Sequence, residues 1–294
     1  LALVYVARGD DRYRRLAWVT VFFTFDLIVF GAFTRLTDSG LGCPDWPGCY
    51  GEANPFLAHE EIRAAEAALP SGPVTVVKAW IEMIHRYLAM GVGVLIIAVL
   101  LIAVRLWRKT GLARYQPALP AALLVWVCIQ GAFGALTVTL KLQPIIVTMH
   151  LLLGMGLLAL LVWHATRQNA HAVTPHQLNA STESLSTVRA LAALSLTLCF
   201  VQIGLGGWVS TNYAALACGG FPLCQGAAVP AMDFEHGFTL WRQLGMTAGG
   251  DYLPFDALVA VHWVHRMFAL VVVTVVGFTA WRAIQLSSVA QAGR

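Results

Sequence analysis

Six stretches of this 294-residue chain, at about 16–36, 80–104, 119–140, 145–165, 187–210 and 257–281, stay apolar over the ~20 residues a helix needs to cross a bilayer. In lipid a backbone can satisfy its polar groups only as helices or as a closed barrel. Barrel strands would alternate over about ten residues, and these runs do not alternate. The sequence therefore predicts an all-α integral membrane protein. Its 12% charged residues, against about a quarter in soluble domains, agree. With so few charges, the net charge of +4 reads as topology and points to no nucleic-acid partner.

The cations sort by side. Arg8, Arg12, Arg14 and Arg15 precede the first run, Arg105, Arg108, Lys109 and Arg114 lie between the second and third, Arg167 and Arg189 follow the fourth, and Arg282 and Arg294 follow the sixth. Two long segments, 37–79 and 211–256, lie on the opposite side, and the first is acidic. The positive-inside rule predicts a cytoplasmic N-terminus and long loops on the outer face.

The chain also repeats itself. Cys43-Pro44-Asp45-Trp46-Pro47-Gly48-Cys49 with Gly51 is echoed by Cys218-Gly219-Gly220-Phe221-Pro222-Leu223-Cys224 with Gly226. Glu82-Met83-Ile84-His85-Arg86 is echoed by His262-Trp263-Val264-His265-Arg266, with a histidine standing where Glu82 stood. An internal repeat sets the frame in which local motifs are read. It divides the chain into a first module at 1–167, a polar linker at 168–186 that contains His171, Pro175 and His176, and a second module at 187–294. The first module has four spans and the second two before the sequence stops, so a complete duplication would have eight.

Four cysteines form the two outward pairs Cys43–Cys49 and Cys218–Cys224, where an oxidising compartment favours local disulfides. Exposed pairs of this kind also suit thiol–disulfide exchange. A structural zinc site would want CxxC spacing or further ligands nearby. Cys128 and Cys199 fall inside spans, where a small buried hydrophobe is expected.

His59, His171, His176 and His236 lie in polar segments and are expected to be solvated. His85 and His150 fall at similar depth on the second and fourth spans, and His265 repeats His85. A single intramembrane histidine is usually a hydrogen-bonded packing residue or a proton relay. Two at matched depth on neighbouring helices of a bundle are a means of holding haem iron from both sides. Arg86 and Arg266 suit haem propionates or snorkelling to the interface. Glycines such as Gly131, Gly154, Gly156, Gly204, Gly206 and Gly207 permit close helix approach. Glu82, one turn above His85 on the same face, suits a general base or proton carrier beside whatever His85 holds.

Together, Glu82 to Arg86, the Thr148-Met149-His150-Leu151 segment after Pro144, the two Cys loops and His265-Arg266 resemble haem A synthase over nearly the whole chain. The resemblance implies tandem four-helix bundles with eight spans, about six of them present here. It implies oxidation of the C8 methyl of haem O to a formyl group by successive hydroxylations, giving haem A for cytochrome oxidase assembly. His85 and His150 would ligate the substrate haem, Glu82 would be the catalytic carboxylate, and His265 would be one ligand of a haem b in the second module. The family's fourth histidine would fall beyond Arg294. His262, one turn from His265, cannot take the opposite face of the same iron. Implied partners are the synthase supplying haem O and a membrane electron acceptor, in the bacterial inner membrane, and a homo-oligomer is compatible with this reading. The competing reading is a bis-histidine b-type cytochrome that only transfers electrons. A transporter would want matching Gly/Pro-interrupted short spans, which the chain lacks.

Overall fold

The computed structural model describes residues 10–170 and 182–292. The linker core 171–181 with His171, Pro175 and His176 lies outside the described residues, as does Arg294. Among the described residues every regular element is helical, in chain order α1 (Asp10–Leu36), α2 (His59–Ala68), α3 (Val76–Thr110), α4 (Ala118–Thr139), α5 (Pro144–Ala170), α6 (Thr182–Thr211), α7 (Phe234–Gly237) and α8 (Phe255–Ala292). All but α2 and α7 are long and apolar enough to cross a membrane, which makes six spans and a multi-pass membrane protein.

The helix ends follow local chemistry. Thr75 caps α3 by accepting from the Lys78 N–H at 3.2 Å, satisfying one of the free amides of the first turn. Gly111 ends it in the left-handed region at φ 66°, as a C-terminal glycine does. Arg108 and Lys109 fill its last turn, where cations complement the helix dipole. Pro144 opens α5, where a missing N–H costs nothing.

The chain folds as two compact units, Leu1–Leu142 with Leu153–Thr174, and Gln143–Leu152 with Pro175–Arg294. In the first, α1 lies along α3, and α4 also packs on α3. Tyr13 and Leu16 bury against Val99, Ala103 and Tyr115, while Val92 and Ile96 meet Leu123, Leu157 and Leu161. Buried polar groups there are paired: the Tyr13 hydroxyl lies 2.9 Å from His164 Nε2, and Trp126 Nε1 donates to the Leu153 carbonyl at 2.9 Å. A Cβ on Gly156 would come within 2.8 Å of the Trp126 ring, so that glycine makes room for the indole. Gly131, also expected at a close approach, faces open space.

In the second unit α6 and α8 pack along each other. The first turns of α5 join them: Ile145 packs with Trp208, Val209, Ala214 and Val261. Thr148 Oγ1 lies 3.3 Å from Thr211 Oγ1.

The segment 37–79 departs from the plain loop expected. It contains α2, whose Ile62, 1% exposed, turns inward onto Cys43, Cys49, Ala79 and Met83. One large apolar residue aimed at the disulfide organises a helix whose other residues are alanine or charged and polar. Cys128 is exposed and Cys199 half-buried, so neither is the buried hydrophobe expected. On a span, an exposed position is open to lipid and places no demand on polarity.

Candidate functional site

Each Cys loop is docked on the helix that follows it, and the first is the more fully held. The structure joins Cys43 to Cys49, and both are fully buried. The loop closes on a two-residue turn, Tyr50 at φ 53° and Gly51 at φ 79°, with Cys49 N–H donating to the Glu52 carbonyl at 2.9 Å. The Asp45 carboxylate accepts from the Tyr50 and Gly51 amides at 2.6 and 2.7 Å. Gly42 lets the chain approach α3, since a Cβ there would sit 2.6 Å from the Ala79 nitrogen.

Glu82 is the anchor. It is 4% exposed; its Oε2 accepts from the Cys43 N–H at 2.8 Å, and its Oε1 pairs with Arg86 one turn on. Arg86 in turn donates to the carbonyls of Pro47, at 3.1 Å, and Gly48. Tyr87 adds a hydrogen bond to the Ala53 carbonyl at 2.8 Å. Glu82 and Arg86 thus bind the loop at both ends, and these charge-assisted contacts are stronger than neutral ones.

The second module repeats the arrangement with a different acceptor. Cys218 is joined to Cys224, and the turn is again a pair of positive-φ residues, Gln225 at 54° and Gly226 at 78°. The Cys218 N–H donates to His262 Nδ1 at 3.1 Å, the counterpart of the Cys43–Glu82 bond. Arg266 Nε lies 3.0 Å from His262 Nε2, and its two Nη atoms reach the carbonyls of Gly220, at 2.7 Å, and Cys218, at 3.1 Å. The His262 ring is therefore held on both nitrogens by the loop and its arginine.

The histidines expected to ligate iron are placed differently from these anchors. His85 makes no hydrogen bond among the described residues. Its ring stacks 6.5 Å from Phe30 with an interplanar angle of 11°. It also lies against Gly31, where a Cβ would come 3.0 Å from its Nε2. His265 has the same relation to α6, 3.1 Å from the position of a Cβ on Gly206, but Gln202 Nε2 holds its Nδ1 at 3.0 Å. His150 is half-buried on α5 in the stretch that belongs to the second unit. Among the described residues no group of three or more His, Cys, Asp or Glu side chains could hold a metal ion. A pair of axial histidines on haem iron needs no such group.

Sequence reading missed Gly31, Phe30 and Gln202. Gly31 had a signal, because aligning the repeats on their Cys loops sets it against Gly206. Gln202 had none, since a lone glutamine in an apolar run looks like tolerated polarity. His236 is half-buried beside Asp233, 2.6 Å from its carboxylate, rather than freely solvated. The Asp233 carboxyl is held below its usual range, chiefly by the His236 backbone N–H.

Comparison with known proteins adds a second line. Residues 14–294 match the family model of the cytochrome oxidase assembly proteins, COX15-CtaA. The chain is 36% identical over 271 residues to a haem A synthase of Shewanella oneidensis, covering 91% of this chain and 79% of that protein. It is 29% identical over 293 residues to a haem A synthase of a Chelativorans species, covering 94% and 76%. With a haem A synthase of Bacillus pumilus it shares 28% over 244 residues, covering 80% and 69%.

Proposed function

The chain belongs to the COX15-CtaA family of cytochrome oxidase assembly proteins, and from that premise we propose that it is a haem A synthase, a membrane oxidoreductase. Its substrate is haem O, whose ring methyl is oxidised to the formyl group of haem A for cytochrome oxidase. The observation that carries this reading is the match over residues 14–294, reinforced by relatives of that name.

His85 and His150 are assigned as ligands to the substrate iron. In support, both His85 ring nitrogens lack hydrogen-bond partners among the described residues, and Gly31 leaves the ring space. Glu82 is assigned as the catalytic carboxylate. Held by Arg86 and the Cys43 amide, it is fixed in position one turn above His85, where a carboxylate can take a proton from the group being oxidised. Arg86 and Arg266 are engaged first with the Cys loops, so propionate contact would draw on the N–H donors that remain.

His265 is assigned as one ligand of a haem b in the second module. Two observations support that role: Gly206 lets the His265 ring lie close against α6, and Gln202 sits 3.0 Å from its Nδ1, the second partner that orients a ligating imidazole. Haem b, when bound, passes electrons one at a time. The fitted partners are the enzyme that supplies haem O and a membrane electron acceptor. The protein would lie in the bacterial inner membrane with the N-terminus cytoplasmic and the Cys loops outside.

The electron-transfer reading draws on one observation, that Glu82 and His262 do the same docking work. Pigment extraction and mass analysis of the protein expressed with a source of haem O separates the two. Haem A or its hydroxylated intermediate is the expected product. Bound haem that is unmodified throughout would leave a plain cytochrome.

A further inference from the structure

The segment between α6 and α8 in the second unit buries an arginine that no carboxylate accompanies among the described residues. Arg242 is 3% exposed. Its Nη2 donates to the Oδ1 of Asn212, itself 5% exposed, and its Nη1 to the Met246 carbonyl at 3.2 Å. Its guanidinium lies 5.8 Å from the centre of the Trp208 ring, and its Nε has no hydrogen-bond partner among the described residues. An amide, a carbonyl and an indole solvate the cation without neutralising it. Asp251, in the same segment, is exposed and forms no ion pair with it. Burial pushes the Arg242 pKa down, the direction expected when a charge leaves water uncompensated. Such a charge is costly unless an anion meets it.

The same guanidinium lines a cavity of about 300 Å³ together with Gln143, Trp241, Gln243 and Thr247. Gln143 is 8% exposed, and its side-chain amide has no hydrogen bond among the described residues. Trp241 and its neighbour Leu240 are 66% and 58% exposed. A tryptophan and a leucine standing out of a segment that joins two membrane spans suit the headgroup level of a bilayer. The first module has no equivalent, since the one arginine between α1 and α3, Arg63, is exposed.

We infer that this cavity binds a phosphate-class oxyanion, with the Arg242 fork as its charge partner, the Gln143 amide as a second donor and Trp241 at its rim. Arginine's planar fork matches phosphate geometry, and the apolar rim favours phosphate carried on a lipid headgroup. The site is independent of the haem chemistry.

The full chain in detergent is titrated with inorganic phosphate at constant ionic strength, following thermal unfolding and tryptophan fluorescence. It is also reconstituted in nanodiscs of phosphatidylglycerol or phosphatidylcholine and examined for retained lipid by native mass spectrometry. Retention of phosphatidylglycerol alone identifies the headgroup, and stabilisation by inorganic phosphate as well shows that the free anion is also accepted. Arg242→Met should weaken binding about tenfold or more, as loss of a charge-assisted contact implies, and Gln143→Leu should weaken it less. Should Arg242→Met not fold, Arg242→Lys, which keeps the charge and loses the fork, takes its place. A wild-type protein indifferent to both probes, or affinity unchanged in the arginine variant and in Gln143→Leu, overturns the site.

Discussion

The two Cys loops are docked by one geometry and two acceptors. In the first module a carboxylate receives the Cys43 amide on one oxygen and the Arg86 guanidinium on the other. In the second, the Cys218 amide and the Arg266 guanidinium approach the two nitrogens of one imidazole. A neutral imidazole accepts at one nitrogen and donates at the other, so it serves one of those donors well and opposes the other. The repeat has kept the clamp and varied its chemistry, and only the first version adds a compensating negative charge.

The difference can be broken at the anchors. Glu82→Leu leaves the Arg86 charge without its carboxylate and the Cys43 amide without its acceptor in a nearly dry site. We predict a loss of about 3–5 kcal/mol, the cost of breaking a buried pair, measured by thermal unfolding and by protease access to the first loop. His262→Leu removes only a neutral acceptor and should cost about 1–3 kcal/mol. Equal losses would erase the distinction between the clamps.

A second contrast lies just before each first cysteine. Gly42 is packed on the α3 backbone, whereas Ala217, 4% exposed, already carries a Cβ in the corresponding place. Gly42→Ala should therefore destabilise by about 1–3 kcal/mol, as overpacking does, with the first loop opening to protease.

The histidine cradles should behave alike. Gly31→Ala and Gly206→Ala bring a methyl to 3.0 Å of His85 and 3.1 Å of His265, and each should lower the haem-to-protein ratio of its own module. A fall in only one would mean that the other ring does not hold haem.

His262→Glu should stabilise the second loop by about 0.5–1.5 kcal/mol, because a carboxylate receives both donors.

The smallest effect expected is on pH. Asp233 caps α7 by accepting from the His236 amide at 3.0 Å, whereas α2 in the first module has no side-chain cap. Since the Asp233 pKa is depressed in the fold, its contribution is present above the usual carboxylate range and lost as pH falls through the depressed value. Asp233→Ala should flatten the acid limb of the stability profile slightly.

Much of this was legible in the residues. Apolar runs of membrane length predicted the six spans, and the repeated cysteine spacing predicted the paired loops, because both signals are local. The role of Glu82 was half visible. Its spacing from His85 placed it beside the proposed haem ligand, but its bond to the Cys43 amide joins positions 39 residues apart, and no periodicity encodes that. His262 looked like a weak candidate ligand for the same reason: spacing shows a shared helix face, while only the fold shows that its ring nitrogens are taken, one by the Cys218 amide and one by Arg266. Arg242 carried no pattern at all, since burial of a charge is a property of packing.

The most direct test of a chemical role for Glu82 uses the second module's own residue in the first. Glu82→His should keep the Cys43–Cys49 loop docked, as His262 docks its counterpart. With a source of haem O, the extracted pigment is then compared with wild type. If Glu82 does chemistry that a clamp alone cannot, the variant binds haem O and yields neither haem A nor its hydroxylated intermediate. Haem A at the wild-type level would show that Glu82 only holds the loop and is not the catalytic carboxylate.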